Sequence, residues 1–357
     1  VIETALQRIW YAQTSPSWWL RLLEQPFKAV VAARRRHFAQ GSQAVTCFEV
    51  PVVVIGNLSV GGTGKTPVVI ELARALVSRG VRCGVITRGY GGRRGGGVAL
   101  LHTINATRQP DPALHGDEPA LIARSTGVLV AVGVDRVAAA AALIERGVDI
   151  VLSDDGLQHY RLGRSLEIAV VDGARGLGNA HLLPAGPLRE PPARLREVDW
   201  IIVNGTPSSR CLEQIGQVAP SRDLLRFDLV ADDAIALGRG GAEPVARRPL
   251  ASFAGAPVHA VAGIGHPARF FAMLRAAGLE VIEHPFADHH RFVASDLAFT
   301  TPGEILMTEK DGVKCERLGG VAGWQVPVRA QFEPAGWEQL LLQIEAQARA
   351  PEAASGG

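Results

Sequence analysis

The sequence predicts an α/β protein: a doubly wound parallel sheet, a second and smaller α/β domain, and an amphipathic helical segment ahead of both. Short β-branched runs recur along the chain, each ending in a glycine or acidic turn and each followed by a helical pattern. The chain has 357 residues, more than one ordinary small domain needs. Hydrophobic residues make up 47% and charged residues 20%, enough apolar surface for a large core. The consecutive partition expected is a segment 1–40, a larger domain 41–235, a smaller domain 245–345 and a disordered tail 346–357.

Composition narrows the function classes. A net charge of +2 argues against a surface built for nucleic acid, and no nucleic-acid partner is expected. Cys47, Cys83, Cys211 and Cys315 are scattered without a CxxC pair, which suits a reducing cytoplasm better than a zinc site or a disulfide framework. No apolar run reaches the length of about 18 residues that a membrane span needs, and no secretory leader is visible.

The first forty positions differ from the rest. Trp10, Trp18 and Trp19 stand there with Tyr11, and Leu20, Leu23, Phe27, Val30 and Val31 repeat at helical spacing before the basic run Arg34-Arg35-Arg36-His37. Pro16 and Pro26 are expected to break or start turns. Aromatic rings beside arginines suit an interfacial helix, whose rings sit at headgroup depth while its cations meet anionic phosphates. A helix packed on the body of the protein is the other reading of the same pattern.

The first strong strand, within Phe48–Asn57, is followed by Leu58-Ser59-Val60-Gly61-Gly62-Thr63-Gly64-Lys65-Thr66-Pro67 and a helical pattern from Val68 to Leu76. Strand, glycine loop and helix in this order form a phosphate cradle. Glycines let the backbone curl so that its N–H groups point inward, and the helix N-terminus adds its positive end. The G-x-x-x-x-G-K-[ST] pattern is matched at Gly64, Lys65 and Thr66, with Ser59 in place of the first glycine. This makes the sheet of P-loop NTPase type. The nucleotide would be held by Ser59, Val60, Gly61, Gly62, Thr63, Gly64, Lys65 and Thr66, with Lys65 on the β- and γ-phosphates and the Thr66 hydroxyl on Mg²⁺.

The second strand, Val81–Thr87, opens onto Arg88-Gly89-Tyr90-Gly91-Gly92-Arg93-Arg94, where Arg88 is the best candidate for a phosphate clamp. Val148–Ser153 ends in Asp154-Asp155-Gly156, an acid at the carboxyl edge of the sheet that suits Mg²⁺. Leu166–Val171 ending in Asp172 is a weaker rival, and Asp199–Val203 ends in Asn204. Asp117, before the helical stretch Ala120–Arg124, reads as a helix N-cap or as a carboxylate able to take a proton.

These stretches together resemble the tetraacyldisaccharide 4′-kinases. The resemblance is carried by Gly56–Pro67, Thr87–Gly91, Gly116–Pro119, Ser153–His159 and Leu183–Glu190. Farther on it is carried by Ala262–Gly265, Asp288-His289-His290 and Met307–Cys315, in unbroken order from about residue 10 to 340. That family's loop also lacks the usual first glycine, so Ser59 fits it. The resemblance implies transfer of the γ-phosphate of ATP to the 4′-hydroxyl of a tetraacylated glucosamine disaccharide 1-phosphate. It implies Asp117 as base, paired with His289 or its neighbour His290. Lys65 would stabilise the transferred phosphoryl, and Thr66 with Asp154 or Asp155 would hold Mg²⁺. Arg88 and Glu190 would be further site members. It also implies a cleft between two domains with a boundary near Asp232–Arg247, and work at the cytoplasmic face of the inner membrane, where the acyl chains reside.

Two other classes fit the sequence less well. A guanine-specific switch needs [NT]-K-x-D after a strand, and neither Thr308-Glu309-Lys310-Asp311 nor Asn204-Gly205 fits. A partition or chaperone ATPase would hydrolyse ATP without a lipid acceptor and leaves the Trp-rich start unexplained.

Overall fold

The computed structural model describes residues 2–11, 15–90, 92, 97–102, 111–238, 246–318 and 322–349. Gly91, Arg93 and Arg94 of the second glycine loop, residues 239–245 of the expected boundary and the tail from Ala350 lie outside the described residues.

Two compact units form, and they interleave along the chain. The first takes Val1–Ile86, Asp135–Asp228 and Phe332–Gly357; the second takes Thr87–Val134 and Leu229–Gln331. Sequence reading placed the units in consecutive segments. Residues 87–134 join the second unit instead because the helix Asp117–Thr126 packs on the helix Glu309–Cys315, a long-range association with no local signal.

In the first unit six parallel strands run in the order Leu224–Ala231, Trp200–Asn204, Leu166–Asp172, Val52–Gly56, Ile150–Asp154, Cys83–Thr87. Val52–Gly56 is central and buried throughout, as its unbroken β-branched run requires of a parallel strand covered on both faces. Its register sets Ile55 beside Asp154 and Gly56 beside Ala169. The carboxylate at the end of Ile150–Asp154 thus stands next to the strand that feeds the glycine loop. The helix Lys65–Ser78 follows and buries Val68, Leu72 and Leu76. Pro67 sits in its first turn, where a missing N–H costs little.

The helix Pro334–Arg349 enters the stretch expected to be disordered at 346–357. Burial of Leu340, Leu341 and Ile344 fixes it, and Arg79 pairs with Glu338 and with Glu345 at 2.5 and 2.8 Å.

The N-terminal segment packs on the first unit. Trp10 is buried and its indole N–H donates to Pro184 O at 2.9 Å, so it is not one of the exposed rings. Pro26 lies inside the helix Trp18–Ala39 and does not break it. The helix survives the lost hydrogen bond because it is tethered on both sides of the proline, by Leu20 and Glu24 before it and by Phe38 after it. Leu20 and Glu24 face inward; Trp18, Trp19, Leu22, Leu23 and Val30 face solvent, with Trp18 76% exposed. The basic run is partly occupied, since Arg35 pairs with Glu197 and Arg34 lies over the Tyr160 ring. Among the described residues no helix is long and apolar enough to cross a membrane.

The second unit holds a mixed sheet. Val281–Pro285, Val258–Ala262, Ile305–Thr308 and Trp324–Val326 are parallel neighbours, and Ala234–Ala236 and Arg247–Arg248 add antiparallel strands at one edge. Phe253, Phe270, Phe271, Leu274 and Leu306 form its core. Ala99–Leu101 and Leu129–Val132 pair antiparallel beside the helix Asp117–Thr126.

Candidate active site

The glycine loop of the first unit has the backbone its sequence demands. Gly61 and Gly64 adopt φ of 99° and 96°, a region that strains any residue with a Cβ. At Gly64 a Cβ would also meet Asn204 Nδ2 at 2.6 Å and the Phe227 ring at 3.1 Å. The loop is held from both sides: Asn204 Nδ2 donates to Thr63 O at 2.9 Å, and Asn57 Nδ2 donates to Gly61 O at 3.3 Å. Both asparagines are buried. Gly61 and Gly62 are exposed, Val60, Gly64, Lys65 and Thr66 are half-buried, and Ser59 and Thr63 are buried.

Lys65 opens the helix, and its Nζ lies 3.6 Å from Asp155 Oδ1. Asp155, at φ 52°, is also gripped by Arg189, whose Nη1 donates to Oδ2 at 2.9 Å and Oδ1 at 3.1 Å. Burial would raise this carboxyl, but Lys65 and Arg189 overcome it and bring it down to about 2. Asp154 is buried at the strand end, with its carbonyl accepting from Arg136 Nη2 at 2.9 Å. Thr66, Asp154 and Asp155 form an all-oxygen donor set that suits a hard cation. Among the described residues no cluster of three or more His, Cys, Asp or Glu could hold a metal ion.

The second unit carries a different constellation. Gly116, at φ 95°, is the N-cap of the helix Asp117–Thr126, and Asp117 is its first residue with no side-chain capping bond. Of the two readings left open by the sequence, the capping one does not hold, because Gly116 occupies the cap position. Asp117 Oδ2 instead meets His289 Nδ1 at 3.2 Å and Lys314 Nζ at 3.6 Å. Burial pushes the Asp117 carboxyl up, and His289, Lys314 and Lys310 more than reverse this, so it lies below the usual range. His289 has φ 60° and its ring lies 5.0 Å from that of Tyr90. His290 turns away, to Asp296 at 2.9 Å and between Phe286 and Phe292. Lys310 pairs with Asp288 at 3.3 Å and Glu118 at 3.6 Å. Lys314 is held by the fully buried Asp311 at 2.7 Å, which in turn accepts from Gly263 N and the Thr308 hydroxyl at 2.7 and 2.6 Å.

A family model described as LpxK, tetraacyldisaccharide-1-P 4′-kinase, matches residues 16–346. The chain belongs to this family. Relatives named tetraacyldisaccharide 4′-kinase agree. The one from Alkalilimnicola ehrlichii is 48% identical over 326 residues, covering 90% of each chain. The one from Nitrosococcus oceani is 44% identical over 351 residues, covering 97% of this chain and 96% of its own. The crystal structure of LpxK from Aquifex aeolicus in complex with ATP superposes with a TM-score of 0.71 at 25% identity, over 91% of this chain and 98% of that one. The tetraacyldisaccharide-1-P 4′-kinase match therefore runs through both constellations.

Within this family member, Ser59 to Thr66 form one loop with Asp154 and Asp155 at the neighbouring strand end, and Asp117 and His289 form a pair in the other unit. Arg88 is exposed at the end of Cys83–Thr87. Glu190 is buried and accepts from Tyr160 OH and from Gln158 Nε2 at 3.2 Å, so its charge is spent on the protein's own loops. Its neighbour Arg189 is the residue that reaches Asp155. Sequence reasoning gave no individual role to Arg189, Lys310 or Lys314, and saw Asn204 only as a strand end and not as a holder of the loop. The Thr308-x-x-Asp311 spacing was a usable signal for the helix start that aims Lys314.

Proposed function

We infer that the chain is a tetraacyldisaccharide 4′-kinase: it transfers the γ-phosphoryl group of ATP to the 4′-hydroxyl of a tetraacylated glucosamine disaccharide 1-phosphate, in lipid A biosynthesis. The observation that carries this reading is the family match from residue 16 to 346, which takes in the phosphate loop of one unit and the Asp117–His289 pair of the other.

In our reading the roles divide between the units. The backbone of Ser59–Gly64 and the N-terminus of the helix Lys65–Ser78 bind the triphosphate of ATP. Lys65 leaves Asp155 for the γ-phosphate and stabilises the charge that spreads over the transferring group. Thr66, Asp154 and Asp155 would hold Mg²⁺, which would supply charge neutralisation to the phosphate groups. Asp117 accepts the proton of the 4′-hydroxyl. That oxygen then bonds to the γ-phosphorus, and the bond from the γ-phosphorus to the β–γ bridging oxygen breaks to release ADP. The depressed carboxyl keeps Asp117 ionised at neutral pH, and His289 and Lys314 orient it and stabilise its charge. Arg88 is a phosphate clamp in this reading, and Glu190 a buttress for the loop that carries Arg189.

The acceptor's acyl chains keep it at a bilayer, since each buried CH₂ is worth about 0.8 kcal/mol. We place the enzyme peripherally on the cytoplasmic face of the inner membrane. The exposed Trp18, Trp19, Leu22, Leu23 and Val30 enter the interface and Arg36 lies at headgroup level. Incubation with Mg²⁺ and ATP labelled at the γ-phosphate should move label into a tetraacyl disaccharide 1-phosphate. Label released only as inorganic phosphate, with none in the lipid, contradicts the assignment.

A further inference from the structure

The segment His181–Arg189 links two parts of the first unit that the roles above leave separate: the N-terminal helix and the phosphate loop. It folds back on itself, with Leu183 N donating to Leu188 O at 3.0 Å and Leu188 N to His181 O at 3.1 Å. Its outgoing arm lies along the loop. Val60 N donates to Pro187 O at 2.8 Å, Arg189 N donates to Leu58 O at 2.6 Å, and Ser59 forms an antiparallel bridge with Leu188. The Arg189 guanidinium continues to Asp155.

The incoming arm is held by Glu24, on the helix Trp18–Ala39. Its side chain is fully buried. Leu182 N donates to Oε1 at 2.6 Å, His181 Nδ1 lies 3.0 Å from Oε2, and Lys28 approaches Oε1 at 3.1 Å. Burying a carboxylate is costly unless its oxygens are paired, so such a group fixes whatever it pairs with. Apolar packing of the helix needs no carboxylate, and Leu20 already supplies it. The same helix also connects, through Tyr160, to the residue that follows the far arm. Phe38 packs on Tyr160 at 5.5 Å, and the Tyr160 hydroxyl donates to Glu190, next in sequence to Arg189.

We propose that Glu24 is a positioning residue for the phosphate loop: by fixing His181 and Leu182 it sets where Pro187 and Arg189 stand, and through them the Leu58–Val60 backbone and Asp155. The proposal rests on the nucleotide-binding role of that loop and adds a residue more than thirty positions upstream of it.

The test is ATP affinity by calorimetry on the full chain, with KM for ATP and for the acceptor from label transfer, in the parent and in Glu24→Ala, Glu24→Asp and Glu24→Gln. Glutamine keeps an acceptor for Leu182 N, aspartate is too short to serve both partners, and alanine serves neither. Glu24→Ala is expected to weaken ATP about tenfold, Glu24→Asp less, and Glu24→Gln to stay within about threefold of the parent. The acceptor's KM should not change in any of them. A role confined to holding the fold would lower the active fraction, and so kcat, with the KM for ATP unmoved; that result overturns the proposal. If Glu24→Ala does not fold, parent-like ATP affinity in folded Glu24→Asp overturns it equally. A parent chain that binds no ATP would instead strike the kinase reading, which separates the two failures.

Discussion

The two constellations hold their carboxylates with different sets of partners. Asp155 follows a strand that neighbours the glycine loop, and its partners are permanent cations, Lys65 and Arg189. Asp117 starts a helix in the other unit, and its nearest partner is a histidine 172 positions away. Both carboxyls are held below their usual range against burial, Asp155 by Lys65 and Arg189, Asp117 by His289 together with Lys314 and Lys310. In the proposed roles, nucleotide binding rests on groups at one sheet edge and proton acceptance on a pair far apart in sequence.

Substitutions should separate these functions. The largest effect is expected from Asp117→Asn, which keeps shape and removes the base: kcat should fall by up to about 10⁴-fold while the KM for ATP holds. Lys65→Ala should cost about 10³-fold in transfer, and some of the loss should appear in ATP affinity. His289→Ala should cost about 10²-fold, with a change in pH profile that distinguishes it from simple misfolding. With His289 gone, burial raises the Asp117 carboxyl, so the acid limb of kcat/KM should move to higher pH. An acid limb that stays in place would mean that His289 does not tune Asp117.

The smallest effect concerns stability. The Asp155 carboxyl is lowered to about 2, so its contribution is complete above the unfolded-state range near ~3.9 and is lost as pH falls toward about 2. Asp155→Asn should flatten that part of the acid-unfolding curve, as followed by circular dichroism. The exposure of the side chain keeps the effect modest.

The same contrast governs what could be read from the sequence. The nucleotide side was legible because strand, glycine loop and helix are consecutive and each step has a local cause: β-branched burial, positive φ at Gly61 and Gly64, and a helix opened by Lys65. The strand ends at Asp154 and Asn204 were legible for the same reason. For Asp117 the sequence left a cap and a proton acceptor both open, because helix starts reward a carboxylate at that spacing, while the actual cap, Gly116, depends on a backbone angle that spacing does not reveal. The interleaved units were hidden because the packing of Asp117–Thr126 on Glu309–Cys315 is a long-range event. Arg189 was overlooked beside Glu190 because loop spacing does not tell which side chain reaches Asp155, and only the fold shows it. Pro26 was read as a break because propensity alone cannot weigh tethers supplied from elsewhere in the unit.

The division of labour can be tested in one comparison: ATP affinity and label transfer to the lipid acceptor, measured side by side in the parent and in Asp117→Asn. Parent-like ATP affinity with transfer reduced about 10³-fold or more is the expected result. Transfer at the parent's rate in Asp117→Asn would contradict it.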